Sequence, residues 1–136
     1  MILVDSSVWI DYFNGSHIWQ VELLDKLLQQ KPIIMGDLIL AEVLQGFRSD
    51  KNFNLAKKFL SALPLRTLGG YKVALQSASH YRELRKKGVT VRKTIDLIIA
   101  TFCIIENMAL LHNDQDFEPM AKHLSLKTIS KDYPVT

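Results

Sequence analysis

The chain opens Met1-Ile2-Leu3-Val4-Asp5-Ser6-Ser7-Val8-Trp9-Ile10-Asp11. Residues 1–4 form an unbroken apolar run, the pattern of a short strand covered on both faces. Asp5 ends the run. Residues 6–13 then read as helix, broken at Asn14-Gly15-Ser16. The same alternation continues down the chain. Apolar runs at 32–35, 64–68, 108–112 and 124–129 read as further strands. Residues 17–30, 38–47, 53–63, 71–87, 95–107 and 116–123 read as helices. The helix over 71–87 carries its own stop signal, with Arg85, Lys86 and Lys87 in the last turn and Gly88 just beyond. Alternating strands and helices, with strands apolar throughout, predict an α/β fold. The expected architecture is a central parallel sheet of about five strands with helices on both faces.

The bulk numbers narrow the class. A chain of 136 residues suits one domain spanning 1–136, and 48% apolar with 23% charged residues argues against disorder. The net charge of +3 permits a nucleic-acid partner without requiring one. Cys103 is the single cysteine, so no disulfide framework is available within the chain, and its apolar neighbours make it a core residue rather than a nucleophile. The N-terminus lacks a signal-peptide pattern, and the most apolar stretch is interrupted by Asp96, Glu106 and Asn107. The expectation is a cytoplasmic protein with no membrane partner. The last residues, 133–136, are expected to fray.

In open α/β sheets, ligands bind beyond the carboxyl ends of the strands. Acids gather at those places here. Asp5 ends the first strand, and the second ends near Asp37. Glu42 lies about one and a half turns into the following helix. Asp114 and Asp116 follow the run 108–112. Asp96 is the only charged residue between Ile95 and Ile105, and an unpartnered buried carboxylate costs several kcal/mol or takes up a proton. A cation among converging carboxylates removes that cost. Oxygen ligands without a His or Cys cluster select Mg²⁺, with Mn²⁺ as substitute, and such an ion suits phosphodiester hydrolysis. Each acid also has a structural reading. Asp5 is a good helix N-cap, Asp96 a first-turn acid, Glu42 an exposed or salt-bridged helix residue, and Asp114-Gln115-Asp116 a capped turn. An EF-hand starting at Asp114 fails, since Pro119 and Ser125 stand at its sixth and twelfth positions.

Taken in order, four stretches resemble the PIN-domain family, and within it the VapC-type toxins of bacterial toxin–antitoxin pairs. They are residues 1–11, Leu40-Ala41-Glu42-Val43-Leu44-Gln45-Gly46, Ile95-Asp96-Leu97-Ile98-Ile99-Ala100-Thr101, and His112-Asn113-Asp114-Gln115-Asp116-Phe117. The resemblance covers nearly the whole chain. It implies a PIN fold and a Mg²⁺-dependent endoribonuclease acting on tRNA or ribosomal RNA. It implies Asp5, Glu42, Asp96 and Asp114 as catalytic acids, with Asp5, Asp96, Asp114 and the auxiliary Asp116 as metal ligands. It also implies a homodimer and a cognate antitoxin. Ser7 is expected to support Asp5 or a water on the metal, or else only to cap the helix. His112 departs from the Thr or Ser more usual at its position. It is expected either to face solvent at the strand end or to touch substrate.

Arg85, Lys86, Arg92 and Lys93 form a basic stretch before Asp96 that reads as an RNA-binding surface, or as a helix end and a solvated loop. Trp9, Tyr12, Phe13 and Trp19 crowd the first helices, as core or as part of an apolar groove for the antitoxin. The alternative function is a non-catalytic PIN-like module that binds RNA or protein. A phospho-acceptor domain fits less well, because only His112 and Lys131 stand where its lysine is needed.

Overall fold

The computed structural model describes residues 1–135. Four short parallel strands, β1 (Ile2–Val4), β2 (Ile33–Gly36), β3 (Leu65–Arg66) and β4 (Ala109–Leu111), form a sheet in the order β3-β2-β1-β4. Among the described residues the helices are α1 (Ser6–Phe13), α2 (Trp19–Leu28), α3 (Asp37–Leu44), α4 (Asp50–Ser61), α5 (Tyr71–Lys86), α6 (Thr94–Ile105) and α7 (Glu118–Leu124). Helices α1 to α4 pack on one another, while α5 packs on α6 and α7. The two groups form the two helical layers expected of a parallel sheet.

The strands are apolar throughout because both faces are covered. Every residue of β1 and β2 is buried. Leu3 and Val4 of β1 and Leu110 and Leu111 of β4 are fully buried, as is Trp9 on α1. Helix α6 has almost no polar face and is buried along most of its length, from Asp96 to Cys103. Burial pushes the Cys103 thiol up to about 12, in keeping with its reading as a core residue.

The strand count is four rather than about five. The run 124–129 contributes only a single bridge, between Thr128 and Leu110. Leu124 is taken by the end of α7, and Ser125 turns the chain with a left-handed φ of 63°. Too few residues remain to extend a ladder. The segment 53–63 starts earlier than its apolar pattern, because Ser49 caps α4 by accepting from Asn52 N at 3.0 Å. At the chain end, Tyr133 and Val135 pack on the core, contrary to the fraying expected there, and Thr136 lies outside the described residues.

Two features aim the chain at one end of the sheet. The strand order reverses at β1, with β2 and β3 on one side and β4 on the other. That makes the β1/β4 edge the switch point where a crevice opens beyond the strand ends. Helix α5 stops as its sequence directs. Gly88 has a φ of 78°, its N–H donates to Arg85 O, and Val89 N donates to Leu84 O, a Schellman closure. The chain turns there and carries residues 89–93 toward the same crevice.

Candidate active site

Asp5 follows β1 directly, and its backbone N–H donates to Leu111 O at 2.9 Å, continuing the β1/β4 ladder by one bond. Its carboxylate caps α1: Oδ2 accepts from Ser7 N at 3.0 Å and from Ser7 Oγ at 2.7 Å. The other oxygen, Oδ1, is buried with no partner. Capping and site membership therefore coexist in Asp5, one oxygen for each. Ser7 Oγ also accepts from Asn113 N at 2.9 Å, tying the first strand end to the loop after β4.

That loop is stiffened further. Asp114 caps a single 3₁₀ turn, Gln115–Phe117, by accepting from Asp116 N at 2.9 Å. His112 Nδ1 accepts from Asp114 N at 3.1 Å, and its ring lies 5.0 Å from Phe117. Burial lowers the His112 pKa, which keeps the imidazole neutral and able to accept that bond. His112 is thus half-buried and orients Asp114; the solvent-facing reading does not hold.

Asp96 projects from the first turn of α6 and is 5% exposed. It makes no cap, and Oδ2 has no partner. Asp96, Asp114 and Asp116 each offer an oxygen, and these oxygens lie within 4.8 Å of one another. Asp5 and Glu42 stand outside that mutual distance but in the same field. Burial raises the Asp96 pKa to about 7, helped by the charges of Asp5 and Asp114. Burial likewise raises Asp5 and Glu42, with Asp5 adding to the rise in Glu42. Among the described residues no Lys or Arg forms an ion pair with Asp5, Glu42, Asp96 or Asp114. Carboxylates packed this way, with orphaned buried oxygens, fit a hard divalent cation. Asp96, Asp114 and Asp116 supply the nearest set of ligand atoms, and Asp5 stands beside them.

The basic stretch divides. Arg92 forks onto Asp116, with Nε and Nη2 at 3.4 and 3.2 Å from Oδ2 and Nη2 at 3.1 Å from Oδ1. Lys93 immediately precedes α6 and lowers the pKa of both Asp96 and Glu42 by its charge. Arg85 instead lies over the Tyr81 ring, 5.7 Å from its centroid, and Lys86 is exposed on α5. Neither makes an ion pair with the acids.

Some participants escape sequence reading. Ser6 Oγ donates to Glu42 Oε1 at 3.3 Å. Asn113 Nδ2 donates to Asp11 at 3.1 Å, and Asn113 Oδ1 accepts from Gln20 at 3.3 Å. Asp37, at the end of β2, has a structural role: its Oδ1 accepts from Leu38 N and Leu68 N, both at 2.9 Å. The aromatic group divides as well. Trp9, Tyr12 and Phe13 join Phe47 and Phe59, whereas Trp19 lines a cavity beside Asp114.

A sequence profile described as PIN domain matches residues 2–123. The chain belongs to the PIN-domain family. Two curated relatives of this PIN domain are each 29% identical to it over 132 residues, covering 96% of the chain and 98% of the relative. They are VapC ribonuclease Mb1587 of Mycobacterium bovis and ribonuclease VapC11 of Mycobacterium tuberculosis. Its fold also matches solved toxin–antitoxin structures. VapBC2 from Rickettsia felis, bound to a promoter DNA fragment, gives a TM-score of 0.75 at 22% identity, covering 95% of this chain and 98% of that one. VapBC-1 from nontypeable Haemophilus influenzae gives 0.73 at 20%, covering 96% and 98%.

Two predictions test the geometry. Ser7→Ala removes the link between Asp5 and the Asn113 loop. Such outer partners set ligand orientation, so Mn²⁺ affinity, read by calorimetry, is expected to fall about 10- to 100-fold. An unchanged affinity would reduce Ser7 to a structural tie between the end of β1 and the Asn113 loop. Arg92→Ala frees Asp116 from its guanidinium. Arg92 is 73% exposed, and a pair this open contributes at most about 1 kcal/mol, so Mn²⁺ binding should tighten by no more than about fivefold. Weaker binding would mean that Arg92 holds Asp116 in place for the ion.

Proposed function

We propose that this PIN domain is a Mg²⁺-dependent endoribonuclease and the toxin of a toxin–antitoxin pair, with tRNA or ribosomal RNA as substrate. The carrying observation is the set of buried, unpaired carboxylate oxygens at the switch point of the sheet, beside the mutually close Asp96, Asp114 and Asp116. In this reading Asp5, Asp96, Asp114 and Asp116 hold Mg²⁺, or Mn²⁺ in its place. An ion held there supplies Lewis-acid polarisation of the scissile phosphate and an acidified water.

The chain's own residues do the rest. Ser7 and His112 fix Asp5 and the Asp114 backbone through their hydrogen bonds. Glu42 is held by Ser6 and its pKa is raised by burial, which supports its assignment as the acceptor of a proton from the attacking water. Lys93 offers a cation to the phosphate next to the acids, and Arg92, freed from Asp116, offers a second. Without such cations the carboxylates would repel the polyanion.

The names of the relatives support the ribonuclease activity, and the matched VapBC assemblies support a protein antitoxin. An antitoxin segment suits the apolar groove between α2 and α4, lined by Leu28, Leu55, Phe59 and Leu63. A homodimer and a cytoplasmic location complete the reading. Among the described residues no helix is long and apolar enough to cross a membrane.

The test is cleavage of total RNA by purified protein, with ends mapped by sequencing. Cuts that require Mg²⁺ or Mn²⁺ and vanish with EDTA are expected. RNA retained on the protein without turnover under any divalent ion would favour the non-catalytic module.

A further inference from the structure

A cavity of about 280 Å³ opens beside Asp114. Its wall includes Trp19, Gln20, His112, Asn113, Gln115 and Asp114 itself, so it is continuous with the acid cluster through one shared carboxylate. The lining is unlike the apolar grooves elsewhere on the surface. It combines one large aromatic ring with three side-chain amides and an imidazole.

Gln20 is the most telling member. It is 8% exposed, its Nε2 donates to Asn113 Oδ1 at 3.3 Å, and among the described residues its Oε1 accepts nothing. Asn113 is held in turn by Asp11 and by Ser7 Oγ, so the amide wall is fixed before anything binds. Trp19 and Gln20 are the first two residues of α2, which places the ring and the amide at one lip of the cavity. A flat heteroaromatic group with hydrogen-bonding edges matches this lining. Stacking on an aromatic side chain tolerates any base, while edge contacts discriminate between them.

We infer that this cavity is a nucleobase subsite, which takes the base of a nucleotide flanking the scissile phosphate. The inference rests on the ribonuclease reading for its link to the cut, but not for base binding itself. The free Gln20 carbonyl and the Glu118 carboxylate in the wall accept hydrogen bonds. They favour bases with an exocyclic amino group, which are adenine, cytosine and guanine, over uracil.

The protein reports on this site by its own fluorescence. It has two tryptophans, of which Trp9 is fully buried, so quenching by an added nucleoside reads Trp19. Adenosine and cytidine should quench saturably, uridine should bind several-fold more weakly, and ribose should not quench. Trp19→Phe should abolish the signal. Gln115→Ala, an exposed change that spares the core, should weaken adenosine several-fold, and Gln20→Ala about tenfold. Equal response to ribose, no saturable response to any nucleoside, or full affinity in both amide variants would overturn the subsite and leave the cavity to a protein segment. The binding assay needs no cleavage. Nucleoside binding without RNA cutting would sink the nuclease reading alone; metal-dependent cutting without nucleoside binding would sink the subsite alone. Where both hold, Trp19→Ala should relax the base preference at one position beside the cut while the ion requirement persists.

Discussion

Asp96→Asn is expected to reduce RNA cleavage by roughly 10³-fold while the folded protein becomes more stable without metal. Both effects have one cause. Asp96 is 5% exposed, has an unpartnered oxygen, and shares its field with Asp5 and Asp114. Its carboxyl is pushed up to about 7 from an ordinary value of 3.8. The folded protein therefore holds a proton there that the unfolded chain has lost. Between about pH 4 and pH 7 the native state binds more protons, so stability falls as pH rises through that window and stays low above it. The substituted amide has no charge to lose. In EDTA at pH 8, the variant should melt at a higher temperature than the parent, and the gap should close toward pH 4. Added Mg²⁺ should raise the melting temperature of the parent and much less that of the variant. Cleavage by the variant at the parent rate would refute the role of Asp96, and a lower melting temperature in EDTA would refute the electrostatic account.

Trp9→Ala should destabilise the protein by about 3–5 kcal/mol, seen as a lower urea midpoint by circular dichroism. Trp9 is fully buried and sits at the centre of an aromatic group. Tyr12 meets it edge-on at 5.6 Å, with Phe13 at 6.1 Å and Phe59 at 6.2 Å. Truncation leaves a cavity where α1 meets its neighbours. Helix α1 begins at the residue after Asp5, so loosening it also loosens the carboxylate it carries. Trp9→Phe should cost far less, because it keeps most of the apolar volume and removes an indole N–H that has no partner. A loss below about 1 kcal/mol for Trp9→Ala would show that the aromatic group repacks around the gap.

The local sequence was enough to read the alternation of strands and helices, the buried character of α6 and the glycine stop at Gly88. Burial on both faces leaves an unbroken apolar run, and the left-handed turn at Gly88 favours a residue without a Cβ; both marks are written within a few neighbours. The acids could be placed on their elements for the same reason. Which of them meet was not local. Asp5 and Asp37 both end strands, yet Asp5 lies at the β1/β4 switch point while Asp37 is bound to the backbone of Leu38 and Leu68. Arg92 and Asp116 stand 24 residues apart, Ser7 and Asn113 stand 106 apart, and only the packed sheet brings them to hydrogen-bonding distance. Trp9 and Trp19 belong to the same apolar beginning of the chain, but tertiary packing buries one and sets the other in a polar cavity. Periodicity records how each segment meets its immediate surroundings. The pairing of distant polar groups depends on strand order and loop path, which the parallel sheet decides.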